Sequence, residues 1–213
     1  ISIEGLQRLP RERYEIASEI GHPDAIMVRS AKMHDMVLPE SVLAVARAGA
    51  GVNNVPVAAL SKRGIPVFNA PGANANAVKE LVLAGMLLGA RNLCQASNFV
   101  EHLKEEGAAL DKAVEAGKKQ FVGFELPGRT LGVIGLGAIG VQVANAALAL
   151  GMRVVGFDPQ ITVERAWQLS SAVEQARNLD ELFSRADFVT VHVPLLDSTR
   201  GLVNDARIQL MPD

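Results

Sequence analysis

The chain has 213 residues, of which 49% are hydrophobic, with a net charge of −2 and a pI of about 6.1. That length allows a sizeable core and two domains, and the balanced charge excludes the basic excess typical of nucleic-acid or anionic-membrane binding. The single cysteine, Cys94, and the four scattered histidines give no disulfide framework and no metal-ligand spacing. The longest apolar run, residues 81–90, is about half a membrane span. We expect a cytoplasmic protein with no metal, nucleic-acid or membrane partner.

The first third of the chain alternates between strand and helix patterns. Short apolar runs predict strands at residues 25–28, 43–46 and 65–68. Between the last two, a helix begins near Pro56 and ends at Gly64, the positions where these two residue types are favoured. The alternation predicts an open α/β domain over residues 1–71.

A long apolar helix follows this domain. Asn74 or Asn76 is expected to cap it, and it runs to about residue 93. Because the helix is apolar almost all round, it should be covered on several sides. We interpret it as a bridge between domains and as part of a dimer interface. The charged helical stretch at residues 96–119 is interpreted as a solvated face.

A glycine-rich motif stands where a buried strand turns into a helix. Residues 131–134 form an apolar run typical of a buried parallel strand, and G-x-G-x-x-G begins at its end. The next helix, residues 141–150, is apolar on almost every face and ends at Gly151. A second strand, residues 153–157, ends at Asp158. This strand–turn–helix–strand context makes the motif a strong indication of a dinucleotide site.

Each position of the motif has a physical reason. Gly135 permits the tight turn, Gly137 lets a pyrophosphate approach the backbone, and Gly140 lets the helix pack closely on the strand. The start of the helix offers free N–H groups and the positive end of the helix dipole. Asp158, about 20 residues further on, can accept hydrogen bonds from both ribose hydroxyls of an adenosine. Its charge repels a 2′-phosphate, which favours NAD over NADP.

The alternation continues to the end of the chain. Helices are predicted at residues 163–169 and 179–186, and a strand at 187–192. Residues 72–213 are therefore predicted to form a doubly wound parallel sheet, a Rossmann domain that binds its ligand at the carboxyl ends of the strands.

Cationic residues follow the predicted strands of the first domain. Arg29 and Lys32 come after one strand and Arg47 ends the next, and Arg side chains bind carboxylate or phosphate bidentately. Residues 49–51 can present backbone N–H groups as an anion nest. The alternative role for either arginine is a surface ion pair. His192 is assigned shape and backbone position, with no proton transfer.

The sequence resembles the D-isomer-specific 2-hydroxyacid dehydrogenases over essentially its whole length. The motifs that carry the resemblance are RAGAGVNNV at residues 47–55, GIPVFNAP at 64–71, Glu80, GLGAIG at 135–140, DP at 158–159 and HVPLLDST at 192–199. It is most similar to the subgroup that oxidises D-3-phosphoglycerate. The resemblance implies two doubly wound parallel-sheet domains, a flavodoxin-like substrate domain and a Rossmann-like NAD-binding domain, both incomplete here.

The resemblance also implies a reaction and a set of site residues. The reaction is NAD-linked oxidation of D-3-phosphoglycerate to 3-phosphohydroxypyruvate, the start of serine synthesis, by hydride transfer. The residues expected to bind substrate are Arg29, Lys32, Arg47, Gly49, Gly51 and Val52. Those expected to bind NAD are Ala50, Gly135, Gly137, Ala138, Ile139, Gly140, Asp158, Val193 and Pro194. Ala138 and Ile139 would lie on the pyrophosphate, and Val193 and Pro194 against the adenine.

Two residues depart from the family pattern, and one group of residues lies outside the chain. Ala50 replaces a hydroxyl residue common in the subgroup, and Lys79 stands beside Glu80 where a small residue is usual. The family's acid–base Glu and His and its carbonyl-polarising Arg come after residue 213. Oxidation of a carbinol needs a base for the hydroxyl proton. We therefore treat the chain as the N-terminal part of a longer protein, and expect it not to turn over substrate by itself.

Two other functions remain open. One is a different D-2-hydroxyacid specificity, such as glyoxylate or hydroxypyruvate reduction. The other is a non-catalytic NADH-sensing protein, similar to the family's transcriptional corepressors. Three cations, Arg29, Lys32 and Arg47, favour a phosphorylated substrate, because a single carboxylate needs fewer. The full-length protein is expected to be a homodimer or homotetramer.

Overall fold

The computed structural model describes residues 1–104 and 106–212. The chain divides into two compact units, Ile1–Asn74 and Ala75–Asp213. Every pair of neighbouring strands in either unit is parallel, which confirms the predicted α/β class. None of the helices in the described ranges combines the length and the hydropathy that a bilayer crossing requires.

The first unit is a three-stranded sheet in the order β1-β2-β3. Its elements are α1 (Ile3–Leu6), β1 (Ala25–Val28), β2 (Ala44–Arg47), α2 (Val57–Lys62) and β3 (Val67–Asn69). A small apolar cluster, including the fully buried Val45, Leu60 and Met33, holds the sheet and α2 together. Gly64, at φ +72°, ends α2, and the next N–H, that of Ile65, returns to the Leu60 carbonyl.

The second unit contains a four-stranded sheet in the order β6-β5-β4-β7. Its elements are α3 (Ala75–Ala90), α4 (Leu93–Glu101), α5 (Gly107–Gly117), a 3₁₀ turn (Lys118–Phe121), β4 (Thr130–Ile134), α6 (Gly140–Ala149), β5 (Arg153–Phe157), α7 (Val163–Gln168), β6 (Glu174–Gln175), α8 (Leu179–Arg185), β7 (Phe188–Val191) and α9 (Asp205–Ile208). The chain winds outward from β4 in both directions. The strand order therefore reverses between β4 and β7, which is where doubly wound sheets bind ligands.

The middle of this sheet is the core of the second unit. All five residues of β4 are buried, as predicted for a central parallel strand. A methyl group on Gly132 would lie 2.5 Å from Leu182 Cδ2, so α8 packs directly on the backbone of β4. α6 buries five residues against the other face and ends at Gly151, at φ +78°. The burial of α6 and its end at Gly151 were both predicted.

The helices before β4 differ from the prediction. Residues 96–119, predicted as a helical stretch, are divided among α4, α5 and the 3₁₀ turn, and residues 102–104 and 106 lie outside these elements. α3 was expected to be covered on several sides, but within the single chain only Ala75, Met86 and Ala90 are buried. Leu81 is 73% exposed, because just one face of α3 packs on α6 and the core around it. The predicted covering of its other faces by a second domain and a dimer partner stays a prediction.

Candidate cofactor site and anion site

The glycine-rich turn after β4 is held between two strand ends. The Gly135 N–H donates to the Phe157 carbonyl at 2.9 Å, with Gly135 at φ +90°. A Cβ at this position would lie 2.7 Å from Val193 Cγ1 and 2.9 Å from the His192 carbonyl oxygen. The position therefore needs glycine for its backbone conformation and for space.

The other two glycines of the motif have opposite surroundings. A Cβ on Gly140 would lie 1.9 Å from the Gly135 carbonyl oxygen, so the first turn of α6 rests on the end of β4. This closeness is the predicted reason for glycine there. A Cβ on Gly137 would meet nothing within 4 Å, because that side of the turn is open. Of these two glycines, Gly140 is therefore needed for packing within the protein and Gly137 is not.

The start of α6 presents a row of unused hydrogen-bond donors. The backbone N–H groups of residues 137–140 have no acceptor among the described residues, and the helical bonds begin with Val141 donating to the Gly137 carbonyl at 3.1 Å. Ala138 and Ile139, predicted to lie on a pyrophosphate, supply two of the free groups. With the helix dipole, this arrangement suits an anion such as a phosphate.

Asp158, at the end of β5, is bound to the turn. Its Oδ2 accepts from the Leu136 N–H at 2.8 Å, and its Oδ1 accepts from the Gln160 N–H at 2.9 Å. A carboxylate has about four lone-pair sites, so each oxygen can still accept one more bond, as from a ribose hydroxyl. The sequence predicted the ribose role and missed this second one, that of orienting the turn.

The end of β7 completes this edge of the sheet. The His192 N–H donates to the Ile134 carbonyl at 2.8 Å, and its Nε2 lies 2.9 Å from Thr190 Oγ1. Burial lowers the pKa of His192 below the ordinary 6.5, because the charged imidazolium loses solvation. The side chain next along, Val193, contacts the turn at Gly135. The geometry is that of a packing residue, in keeping with the role assigned to His192.

In the first unit, three cations follow neighbouring strands. Arg29 and Lys32 are exposed, and neither makes a hydrogen bond or an ion pair with any residue in the described ranges. Arg47 pairs with Val28 across the sheet, so it ends its strand in register with the residue that precedes Arg29. Its buried Nε has no hydrogen-bond acceptor in the described part of the chain, which is an unusual state for a buried polar atom.

The turn after β2 forms a smaller nest than predicted. The Gly49 N–H donates to the Arg47 carbonyl at 2.9 Å, so it is not available to an anion, and this part of the prediction is wrong. The N–H groups of residues 50–52, contributed by Ala50, Gly51 and Val52, have no acceptor among described residues. Asn69 Nδ2 fixes the turn by donating to the Ala50 carbonyl at 2.7 Å. The nest therefore begins one residue later than predicted.

Asn54 is a residue of this site that the sequence did not single out. Its side-chain Nδ2 donates to the Ala31 carbonyl at 2.8 Å and to the Arg29 carbonyl at 3.3 Å. Its backbone carbonyl accepts from the Met33 N–H at 2.8 Å. It is only 8% exposed. Asn54 thus orders the loop that carries Arg29 and Lys32. In the sequence, its position shortly after Gly51 was the one signal that could have indicated this role.

Two further kinds of site would be a metal site and a reactive cysteine. In the ranges that the structure describes, no three His, Cys, Asp or Glu side chains are grouped to hold a metal ion. Cys94 is exposed and unbridged.

Similarity to known proteins shows the family to which the chain belongs. The family described as D-isomer specific 2-hydroxyacid dehydrogenase, NAD binding domain, matches residues 83–213, more than half of the chain. The chain belongs to this dehydrogenase family. The match includes the glycine-rich turn, Asp158 and the end of β7, so this part is the family's NAD-binding domain. The predicted family and the predicted cofactor, NAD, are confirmed. The roles of individual site residues stay predictions.

Individual relatives extend the similarity to both units. The chain is 42% identical over 200 residues to D-3-phosphoglycerate dehydrogenase of Methanocaldococcus jannaschii, covering 92% of this chain and 36% of that protein. It is 37% identical over 205 residues to hydroxypyruvate reductase of Thermotoga maritima, and the match covers 95% of this chain and 61% of that protein. The chain spans about a third of the length of the first curated relatives that it matches.

A solved structure shows the same fold. The NAD⁺-bound 3-phosphoglycerate dehydrogenase of Entamoeba histolytica is 30% identical, with a TM-score of 0.63, covering 89% of this chain and 52% of that one.

Proposed function

We propose that the chain belongs to an enzyme that oxidises D-3-phosphoglycerate to 3-phosphohydroxypyruvate with NAD. The observation that supports the substrate assignment is that the first unit carries three cations with no acidic partner among the described residues, Arg29, Lys32 and Arg47, together with the free amides of residues 50–52. A substrate with one carboxylate and no phosphate needs fewer positive groups. Relatives at about 40% identity bear the name D-3-phosphoglycerate dehydrogenase.

In this proposal the second unit holds the cofactor. The pyrophosphate accepts hydrogen bonds from the free amides at the start of α6, and Asp158 accepts from the adenosine ribose. Val193 and Pro194 lie against the adenine. NAD, when bound, accepts the hydride that leaves the carbinol carbon of the acid. Binding the cofactor on backbone N–H groups fixes its position without a flexible side chain.

The first unit holds the acid. The amides of residues 50–52 bind the carboxylate, and Arg29, Arg47 and Lys32 bind the phosphate end. Asn54 positions the loop that carries two of these cations. These groups orient and hold the substrate, and none of them is assigned to proton transfer. The proton of the substrate hydroxyl needs a base, and we assign that role to the full-length enzyme.

The experiment compares substrates and one pair of variants in the full-length protein. NADH production or consumption is measured with D-3-phosphoglycerate, D-lactate and glyoxylate, for the wild type, Arg29→Met and Arg11→Met. Losing one charged contact lowers kcat/KM for D-3-phosphoglycerate by about 10- to 100-fold in Arg29→Met. Arg11 is exposed in the first unit and serves as the matched control. Equal rates for Arg29→Met and wild type would contradict the assignment of the phosphate.

The similarity to hydroxypyruvate reductase favours a second candidate, reduction of an unphosphorylated 2-oxo acid. The same assay separates the two. If glyoxylate, or hydroxypyruvate added as a fourth substrate, is turned over with the higher kcat/KM, and Arg29→Met leaves that value unchanged, the second candidate replaces the first.

We also propose that the full-length protein is a homodimer or homotetramer with α3 in the interface. Leu81, Leu87 and Leu88 expose 73%, 43% and 41% of their surface on this helix. An apolar surface of this kind is typical of a protein–protein contact. Light scattering is expected to give a dimer or tetramer mass for wild type and a lower mass for Leu81→Glu. A monomer mass for the wild type would refute the interface.

A further inference from the structure

A single side chain, Thr199, ties together the loop that follows β7. Its Oγ1 accepts from the Leu196 N–H at 2.7 Å and donates to the Pro194 carbonyl at 2.6 Å. The Thr199 N–H donates in turn to the Leu196 carbonyl at 3.1 Å. A hydroxyl has one proton and two lone pairs, so it can serve both partners at once. The bonds close residues 194–199 into a compact turn.

Little else holds this turn in place. Leu195 and Leu196 are 72% and 53% exposed, so they add little apolar burial. The ion pair between Asp197 and Arg200 is 3.8 Å long and lies in solvent, where such pairs contribute little. Among the described residues, the bond from the Thr199 hydroxyl is the one hydrogen bond that the Pro194 backbone makes.

The loop starts at the cofactor edge of the sheet. It leaves β7, next to the point where the strand order reverses, and Val193 at its beginning contacts the glycine-rich turn at Gly135. Any change in the loop thus reaches the two residues proposed to lie against the adenine.

We propose that Thr199 is a positioning residue for NAD: it does not touch the cofactor, but holds Val193 and Pro194 in the conformation that binds it. This inference rests on the proposed roles of those two residues. A loop that is already ordered loses less conformational entropy when the ligand binds, which raises the affinity. Without the hydroxyl, the loop becomes ordered only when NAD binds, and the lost conformational entropy lowers the affinity.

The test measures the NADH dissociation constant of the full-length protein by calorimetry. Thr199→Val, which keeps the size and removes the hydroxyl, is expected to raise Kd by about 10-fold. Thr199→Ser keeps the hydroxyl and is expected to restore Kd to within about 2-fold of wild type. The matched control is Ser184→Ala, which removes another hydroxyl–carbonyl hydrogen bond, at 2.9 Å within α8, and should leave Kd unchanged.

Two results would overturn the inference: wild-type affinity in Thr199→Val, or a Thr199→Ser variant as weak as Thr199→Val. If Thr199→Val does not fold, hydrogen exchange of the Leu196 amide in the wild type decides. Protection before NADH is added supports the positioning role, and protection that develops only with NADH refutes it. A wild-type chain that binds no NADH would instead refute the cofactor site on which the inference rests.

Discussion

Asp158 Oδ2 accepts a hydrogen bond from the backbone N–H of Leu136, with the two atoms 2.8 Å apart. This bond joins the end of β5 to the glycine-rich turn after β4. The residue proposed to bind the ribose therefore also shapes the turn proposed to bind the pyrophosphate. A change at Asp158 should affect both parts of the dinucleotide.

Replacing Asp158 by alanine is expected to weaken NADH binding by about 10- to 100-fold, because two charge-assisted hydrogen bonds and the anchor of the turn are lost. The preference for NADH over NADPH should fall with it, since no carboxylate then repels a 2′-phosphate. Calorimetric titration with both dinucleotides checks this. Asp180→Ala, which removes an exposed carboxylate paired with Arg207, is the control and should bind as wild type. Undiminished preference for NADH in Asp158→Ala would count against the ribose role.

Gly137→Ala is expected to fold normally and to lose NADH affinity. Its new methyl group would meet no protein atom within 4 Å, so the free energy of unfolding should stay unchanged. The same methyl projects into the open side of the turn, where the pyrophosphate is proposed to approach. Calorimetry with NADH and urea denaturation measure the two effects. Normal affinity would show that the phosphates lie elsewhere.

Gly140→Ala is expected to destabilise the fold. Its methyl would lie 1.9 Å from the Gly135 carbonyl oxygen, so β4 and α6 must move apart. Overpacking of this kind lowers the free energy of unfolding by about 1–3 kcal/mol. Urea denaturation of this variant beside Gly137→Ala separates packing from binding, and equal stability of the two variants would contradict the expectation.

Asp187→Ala is expected to lower the free energy of unfolding by about 1–3 kcal/mol. The Asp187 carboxylate accepts from the Thr130 N–H at 2.7 Å and from Arg129 Nη1 at 3.0 Å, at the start of β4. Removing it leaves a buried N–H without an acceptor. Asp197→Ala, in which the lost ion pair is fully exposed, should have no effect on urea denaturation. If both variants are equally stable, the bond to Thr130 contributes nothing.

His192 should make the fold less stable in mild acid. Burial lowers its pKa below the ordinary 6.5, so the unfolded chain takes up a proton at a pH where the folded protein does not. As the pH falls through 6.5, the free energy of unfolding therefore declines, until the pH passes the folded pKa. Above 6.5 the group is neutral in both states and contributes no slope. Urea denaturation between about pH 7.5 and 5.5 should show a shallower decline for His192→Gln than for wild type or for His22→Gln, which changes an exposed histidine.

The sequence predicted most strands and the cofactor turn because those signals are local. Residues 25–28 and 153–157 were placed without error, since short apolar runs bounded by polar residues have few alternative structures. The two-residue strand β6 (Glu174–Gln175) was missed, because its residues are exposed and polar and only pairing with β5 makes it a strand. For α3, the apolar composition predicts a covered helix without saying what covers it.

The residues of the two candidate sites also divide into those with a local sequence signal and those defined by contacts in the folded protein. The three glycines and Asp158 were found because their spacing along the chain carries the information. The loop contacts of Asn54 depend on atoms that come together only in the folded unit, since Asn54 lies 25 residues from Arg29 and 23 residues from Ala31 along the chain. Side-chain to backbone bonds of this kind leave no periodic pattern. They are the part of a binding site that sequence reasoning cannot recover.

The free donors at the start of α6 are peptide N–H groups, which have no proton to lose or gain near neutral pH. The charge that a phosphate meets there is consequently constant across the physiological range. Any pH dependence of NADH affinity must then arise from side chains around the turn, and a midpoint below pH 6.5 would identify His192, whose pKa burial lowers.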